Sequence, residues 1–261
     1  MSSMPDDQFA GLLDLAPSMP DLTGTLYLDF LARLHGVLRP ATYLEIGVET
    51  GSTLALARCA SIGVDPELAL LRGDLLPQLT SKPSLLLFQM PSDRFFATHD
   101  PAALLGAPID MAFLDGMHRC EFLLRDFINT ERHCRRNSVV ALHDCVPTEM
   151  PMTERAPGAQ PVHPRRRNMW TGDVWRALLL LKRVRPDLRI SVVDAAPTGL
   201  ALVTNLDPAS RALEDGYAGF VEQMLGWSLE SETLPGYYAE IGLEPAHHLD
   251  ADGDISARFW L

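Results

Sequence analysis

The chain predicts a doubly wound α/β fold, and three features carry that prediction. Short apolar runs alternate with helix-patterned stretches from residue 41 to residue 206. The first run, around Tyr43-Leu44-Glu45-Ile46, passes directly into a turn bracketed by Gly47 and Gly51. The last two runs are separated only by Asp194 to Thr198, a segment that includes Pro197, and so form a hairpin.

The strands expected from these runs are Ala41 to Val48, Ser61 to Val64, Ser84 to Gln89, Ile109 to Leu114, Ser138 to Leu142, Leu188 to Val193 and Gly199 to Thr204. Helices are expected near Ser52 to Cys59, Arg94 to Leu105, Glu121 to Cys134 and Gly172 to Val184, with Thr171 as the N-cap of the last and Asp173 in its first turn. The hairpin makes the seventh strand antiparallel. A Rossmann-like sheet of seven strands results, six parallel and one antiparallel, with helices on both faces. Residues 1–40 read as a helical extension whose amphipathic part, Gly24 to Leu38, would pack on the sheet edge or cover a ligand. Residues 41–206 form the main domain, with a lid-like insertion at 146–171. Residues 207–261 add a helix over Pro208 to Leu225 and a tail with Trp227, Tyr237, Tyr238, Phe259 and Trp260. That tail suits either a partner subunit, which would make a homodimer, or the chain's own core.

Composition narrows the partners. A chain of 261 residues can bury a full core. Its net charge of −12 argues against nucleic acid, because binding by counterion release needs a basic face. No apolar run reaches the roughly 18 residues of a membrane span, and the start, Met1 to Asp7, has no basic and apolar leader pattern. A cytoplasmic protein acting on a small molecule is the expectation. Cys59, Cys120, Cys134 and Cys145 fall in no metal-binding spacing and read as small hydrophobes. The basic run Arg132 to Arg136 reads as the close of a helix, where cations suit the negative end of the dipole.

The glycine turn indicates the ligand. Gly47 permits a sharp turn and Gly51 permits close approach to the following helix. Neither the GxGxxG of dinucleotide sites nor the GxxxxGK[ST] of phosphate loops is present. Glu45 would repel a phosphate but suits an ammonium, which points to S-adenosylmethionine (SAM). Ligands of open α/β sheets bind at the carboxyl ends of the strands. There Asp65 would take the ribose hydroxyls or cap a turn, Ser92 would reach the adenine or cap a helix, and Ser52 would line the first turn. The fourth strand delivers Asp115 and His118, the fifth His143 and Asp144. Two acid–imidazole clusters at consecutive strand ends can activate a hydroxyl, through an imidazole base or through a metal.

The stretches E-I-G-V-E-T-G from Glu45, V-D-P from Val64, F-L-D-G-M-H from Phe113, A-L-H-D-C from Ala141 and T-G-D-V-W from Thr171 resemble a family of class I SAM-dependent methyltransferases. These are the small-molecule O-methyltransferases of the cephalosporin-hydroxylase and macrolide-sugar ("methyltransferase 24") type, more distantly similar to catechol O-methyltransferase. The strand inventory agrees with that class. The resemblance implies O-methylation of a small hydroxylated metabolite, with Glu45, Gly47, Gly51, Ser52, Asp65, Ser92 and Asp115 on the cofactor. It implies His118 as base, with Asp115 and His143 beside it, and a divalent cation at Asp115 and Asp144. His143 stands where relatives carry an oxygen ligand; it disfavours Mg²⁺ and suits Mn²⁺, Fe²⁺ or Zn²⁺, or else leaves the site without metal. The Pro-rich insertion, with Arg165, Arg166, Arg167 and Trp170, would act as a lid over the acceptor or as a solvated loop. Metal-free N-methylation and a catalytically silent SAM-binding protein are the alternatives.

Overall fold

The computed structural model describes residues 22–70, 75–158, 169–230 and 233–261. Its strands are β1 (Thr42–Ile46), β2 (Ala60–Val64), β3 (Leu85–Phe88), β4 (Ile109–Leu114), β5 (Cys134–His143), β6 (Arg189–Val193), β7 (Leu200–Thr204) and β8 (Leu243–Glu244). The helices are α1 (Tyr27–Leu38), α2 (Leu76–Thr80), α3 (Ser92–Thr98), α4 (Pro101–Leu105), α5 (Cys120–Glu131), α6 (Trp175–Val184), α7 (Ala212–Asp215), α8 (Tyr217–Leu225), α9 (Leu234–Ile241) and α10 (Asp252–Arg258). None among the described residues is long and apolar enough to cross a membrane.

One sheet runs in the order β3-β2-β1-β4-β5-β7-β6-β8. β7 is antiparallel to both β5 and β6, and every other pairing is parallel. The six parallel strands and the antiparallel hairpin strand are those expected. The two-residue β8, parallel to β6, is an addition that the tail supplies.

The central strands are apolar because both faces are covered. β4 is buried along its whole length. Leu44, Ala112, Leu114, Val140 and Leu142 pack toward α5 and α6, while Tyr43, Met111, Phe113, Val139 and Ala141 pack toward α1 and α10. The strand order reverses between β1 and β4, so the crevice that takes ligands in such sheets opens there.

Several elements differ from expectation, each for a local reason. The helix expected at Ser52 to Cys59 is a single 3₁₀ turn, Leu54–Leu56. Left-handed backbone at Gly47, Glu49 and Gly51 uses up the first half of that connection. The Arg94 to Leu105 helix is broken in two, because Pro101 disfavours helical backbone at Asp100, whose carboxylate accepts the Ala103 amide at 3.0 Å. The Arg132–Arg136 cluster does not close a helix: α5 ends at Glu131, and Arg135 and Arg136 already belong to β5. Arg135 reaches Asp110 at 2.8 Å and Arg136 reaches Asn205 at 2.8 Å. Thr171 is no N-cap. α6 starts only at Trp175, because Gly172 is left-handed (φ 57°), and the Thr171 hydroxyl donates to the Met152 carbonyl at 3.0 Å. The helix expected over Pro208 to Leu225 is two short ones, α7 and α8.

The tail covers the chain's own core. Tyr237 and Ile241 join the α5/α6 side, and Ala246, Leu249, Ile255 and Phe259 the α1/α10 side. In the 146–171 insertion, Val146, Thr148, Glu149 and Met152 are buried, so this first part is no solvated loop. Arg165, Arg166 and Arg167 lie outside the described residues.

Candidate active site

A cavity of about 990 Å³ opens above the carboxyl ends of β1, β2, β3 and β4. Its floor is the turn after β1. Gly47 (φ 89°) lies so close to the end of β4 that a Cβ there would overlap the Asp115 carbonyl. The Asp115 amide in turn donates to the Ile46 carbonyl at 2.8 Å. Asp65 stiffens the same floor, its two oxygens accepting the Glu49 and Glu67 amides at 2.8 and 2.7 Å. Acids dominate the wall: Glu49, Asp65, Glu67, Asp93 and Asp115 line it, and no lysine or arginine among the described residues does.

Of the residues singled out by sequence, Gly47, Ser52, Asp65, Ser92, Asp115 and His118 stand at this cavity. Ser92 also bonds the buried Asp126, whose pKa burial raises to about 7.

Three others are placed differently. Glu45 is fully buried behind the wall, its two oxygens accepting the hydroxyls of Tyr43 and Thr53, each at 2.7 Å. Burial raises its pKa to about 8, against those two hydrogen bonds. It braces Thr53, which does line the cavity, rather than meeting a ligand itself. Gly51 (φ 81°) is buried, and a Cβ there would meet the Leu70 side chain; its freedom serves the turn, not ligand approach. His143 lies behind the wall, with Nδ1 at 3.1 Å from Asp115 Oδ1, Nε2 at 3.4 Å from Thr198 Oγ1 and its ring 4.3 Å from that of Tyr27.

The reactive cluster is therefore Asp115, His118 and Asp144, whose potential ligand atoms all lie within 4.8 Å of one another. His118 Nε2 sits 3.3 Å from Asp115 Oδ1 and 3.2 Å from Asp144 Oδ2. Its Nδ1 lies 2.8 Å from the Trp170 carbonyl, an acceptor only, so Nδ1 carries a proton and donates it. Nε2 then faces two carboxylates and needs a cation between, either its own proton or a metal. Burial by itself would lower the His118 pKa, but Asp115 and Asp144 overcome this and raise it to about 9. His143 is likewise raised against burial by Asp115 and Asp144, and Asp115 is held well below the usual carboxylate range against burial by His143 and His118.

The cluster departs from the ligand set expected from sequence, in which His143 stood where His118 does. Asp144, in left-handed backbone (φ 58°), places its Oδ2 beside both imidazoles, 3.2 Å from His118 Nε2 and 3.5 Å from His143 Nδ1.

Sequence reasoning missed Tyr27 altogether. It lines the cavity from the start of α1, and its pKa is pushed up to about 12 by burial and by Asp115 and Asp144. Its amide donates to the Ala196 carbonyl at 2.9 Å, which anchors α1 to the β6–β7 hairpin. No local motif marks a contact between residues so distant in the chain.

Residues 44–145 match a family model described as a methyltransferase domain. That segment runs from β1 to just past β5 and holds the whole Asp115/His118/Asp144 cluster. No curated protein matches the chain. Among solved structures, it is similar to the O-methyltransferase TomG from Streptomyces achromogenes, involved in tomaymycin synthesis and solved in complex with SAM. That likeness has 18% identity, a TM-score of 0.51, and covers 73% of this chain and 82% of that one. It is similar also to the S-adenosylhomocysteine-bound (SAH-bound) methyltransferase PaMTH1 from Podospora anserina, at 12% identity and a TM-score of 0.52, over 78% and 89% of the two chains. The fold is thus the Rossmann-like one of those methyltransferases, and residues 44–145 within it match a methyltransferase domain.

Proposed function

We propose that the protein is a SAM-dependent O-methyltransferase acting on a small hydroxylated metabolite, with a divalent cation at Asp115, His118 and Asp144. The observation that carries this is one acid-lined cavity with Asp115 and His118 in its wall at the β4 end and the buried Asp144 against His118. A wall rich in carboxylates and without lysine or arginine among the described residues suits a ligand that bears a sulfonium and an ammonium. A volume near 1,000 Å³ is at the upper end of small-molecule sites and leaves room for an acceptor beside the cofactor.

SAM, when bound, supplies a methyl group on a positively charged sulfur. The chain's residues do the positioning. Asp65, fixed by two amides, offers its remaining lone pairs to the ribose hydroxyls, and Ser52, Thr53 and Ser92 present hydroxyls along the cavity.

The donor set of two carboxylates and one imidazole, with the imidazole oriented through its far nitrogen by a carbonyl, fits Mn²⁺, Fe²⁺ or Zn²⁺ better than Mg²⁺. Such a cation would acidify an acceptor hydroxyl. With no cation held there, Nε2 is instead the one His118 nitrogen able to take that proton, since Nδ1 is engaged by Trp170. Asp115 and Asp144 then hold the resulting imidazolium. Trp170 and Tyr27 border the same end of the cavity and supply faces for an acceptor ring.

Titration of SAH into metal-stripped protein, repeated with Mn²⁺, tests this directly. Saturable SAH binding, with Mn²⁺ binding that is lost in Asp144→Asn, is the expected result. Turnover of Asp144→Asn on an accepted hydroxyl substrate should fall by about 10²- to 10³-fold. Absence of SAH binding by the wild-type protein would overturn the cofactor assignment.

A further inference from the structure

The T-G-D-V-W stretch lies outside the matched segment and reaches helix only at its last residue, Trp175, yet its first residues pack directly on the functional cluster. The Asp173 amide donates to the His118 carbonyl at 3.2 Å, and Asp173 Oδ1 accepts the Cys120 amide at the first residue of α5 at 2.8 Å. A Cβ on Gly172 would overlap the His118 carbonyl, so only glycine fits there. Trp170 lies with its ring 4.9 Å from that of His118 and its carbonyl on His118 Nδ1.

Arg155 ties this strap down. Its guanidinium bonds both oxygens of Glu121, at 2.6 and 3.1 Å, and Asp173 Oδ2 at 2.5 Å. The carbonyl of its neighbour Glu154 accepts the Trp170 indole N–H at 2.5 Å. Cys120, Glu121 and Asp173 would make a second cluster with metal-ligand spacing, but Arg155 already supplies the positive charge there. With Asp173 1% exposed, its charge depends on Arg155 and on Arg176, 2.7 Å away.

We propose that Arg155 and Asp173 are positioning residues: they clamp residues 170–173 against the start of α5 so that the Trp170 carbonyl and ring fix the orientation of His118. The role of His118 in turnover rests on the function proposed above; the clamp itself does not. Asp173 fixes where His118 stands in the chain, through its amide and through the cap on α5. Arg155 fixes the orientation of the imidazole, because Trp170 is held from both sides, by Glu154 and by the strap.

The test is histidine ring ¹H–¹⁵N spectroscopy on the full chain, where a carbonyl-bonded Nδ1–H of His118 gives a protected signal. Arg155→Ala should lose that signal and lower turnover by about a hundred-fold, while SAH affinity changes by less than about three-fold. Arg155→Lys, which restores charge without the bidentate fork, should recover part of both. Arg183→Ala, which removes a surface pair with Glu240 remote from the cavity, should change neither. Should Arg155→Ala fail to fold, Trp170→Phe decides, because it deletes the bond to Glu154 and shrinks the ring beside His118, and so should weaken the His118 signal. Retention of the full signal in Arg155→Ala, or in Trp170→Phe, overturns the proposal. Absence of SAH binding by the wild type would sink the methyltransferase assignment and leave the clamp to be judged by the spectrum alone.

Discussion

His35 and Glu45 are two buried titratable side chains whose pKa values are displaced in ways that oppose each other with pH. His35, on α1, lies against the Tyr43 ring at 4.9 Å with Nδ1 unpartnered, and burial lowers its pKa to about 4, with the charge of Lys82 adding to the effect. Between pH 6.5 and 4 the unfolded chain binds a proton that folded His35 refuses. Its stabilisation is thus fully present above 6.5 and lost as pH falls toward 4, an effect of about 3 kcal/mol. Glu45 works the other way. Its raised pKa, about 8, gives stability that is full below 4.5 and lost as pH rises through 8. Thermal unfolding of His35→Phe should therefore lose less between pH 7 and 4.5 than the wild type, and Glu45→Gln less between pH 6 and 9. Parallel pH profiles for variant and wild type would refute either assignment. Glu45 also shows where sequence legibility stops at this scale. That an acid ends the first strand is plain from the chain; that its side chain points into the protein depends on the pleat and on Tyr43 and Thr53. His143 and Asp144 follow the same logic. The pair was identifiable, but that Asp144 reaches both imidazoles is set by the fold around it.

Among the elements, α5 organises most of the site. Its N-terminus receives Asp173, and its C-terminus is locked by Glu131, whose oxygens take Arg185 at 2.8 and 2.9 Å and the Asp207 amide at 3.1 Å. Arg185 also bonds Asp187, so one buried guanidinium joins the ends of α5 and α6 to the approach of β6. Removing one partner of such a pair leaves a buried charge unmatched. Glu131→Ala should cost about 3–5 kcal/mol in urea unfolding. A loss under about 1 kcal/mol would show that the pair is screened by solvent. Strands were the more legible elements: β4 is found at its expected limits and most others within a few residues. Helices were not, since their ends here are set by tertiary contacts. Pro101 splits one, and the close approach of Gly172 to His118 delays the start of another.

Across the whole molecule, the tail is a structural part of the domain. Phe259 and Tyr237 are buried on opposite sides of the sheet, and the Tyr237 hydroxyl donates to the Cys145 carbonyl, directly after Asp144, at 2.6 Å. β8 extends the sheet past β6, and Arg258 of α10 pairs with Glu244 on it. Deletion of residues 226–261 should expose both faces of the core and abolish a cooperative unfolding transition. A truncated chain that still unfolds cooperatively, with the wild-type midpoint, would show the tail to be dispensable. Its aromatic composition was legible, but its destination was not, because burial against a partner and burial against one's own core leave the same pattern of residues.

The contact between Gly47 and the Asp115 carbonyl has a thermodynamic corollary. The turn under the cavity and the residue that anchors the cluster meet backbone to backbone, so a shift of one displaces the other. Occupancy of one end must be felt at the other, and coupling of this kind is reciprocal: whatever factor a cation adds to SAH affinity, SAH must add to cation affinity. A pair of titrations, SAH with and without Mn²⁺ and Mn²⁺ with and without SAH, should return the same factor, different from one. Two independent affinities would mean that the shared wall is rigid enough to insulate its two ends.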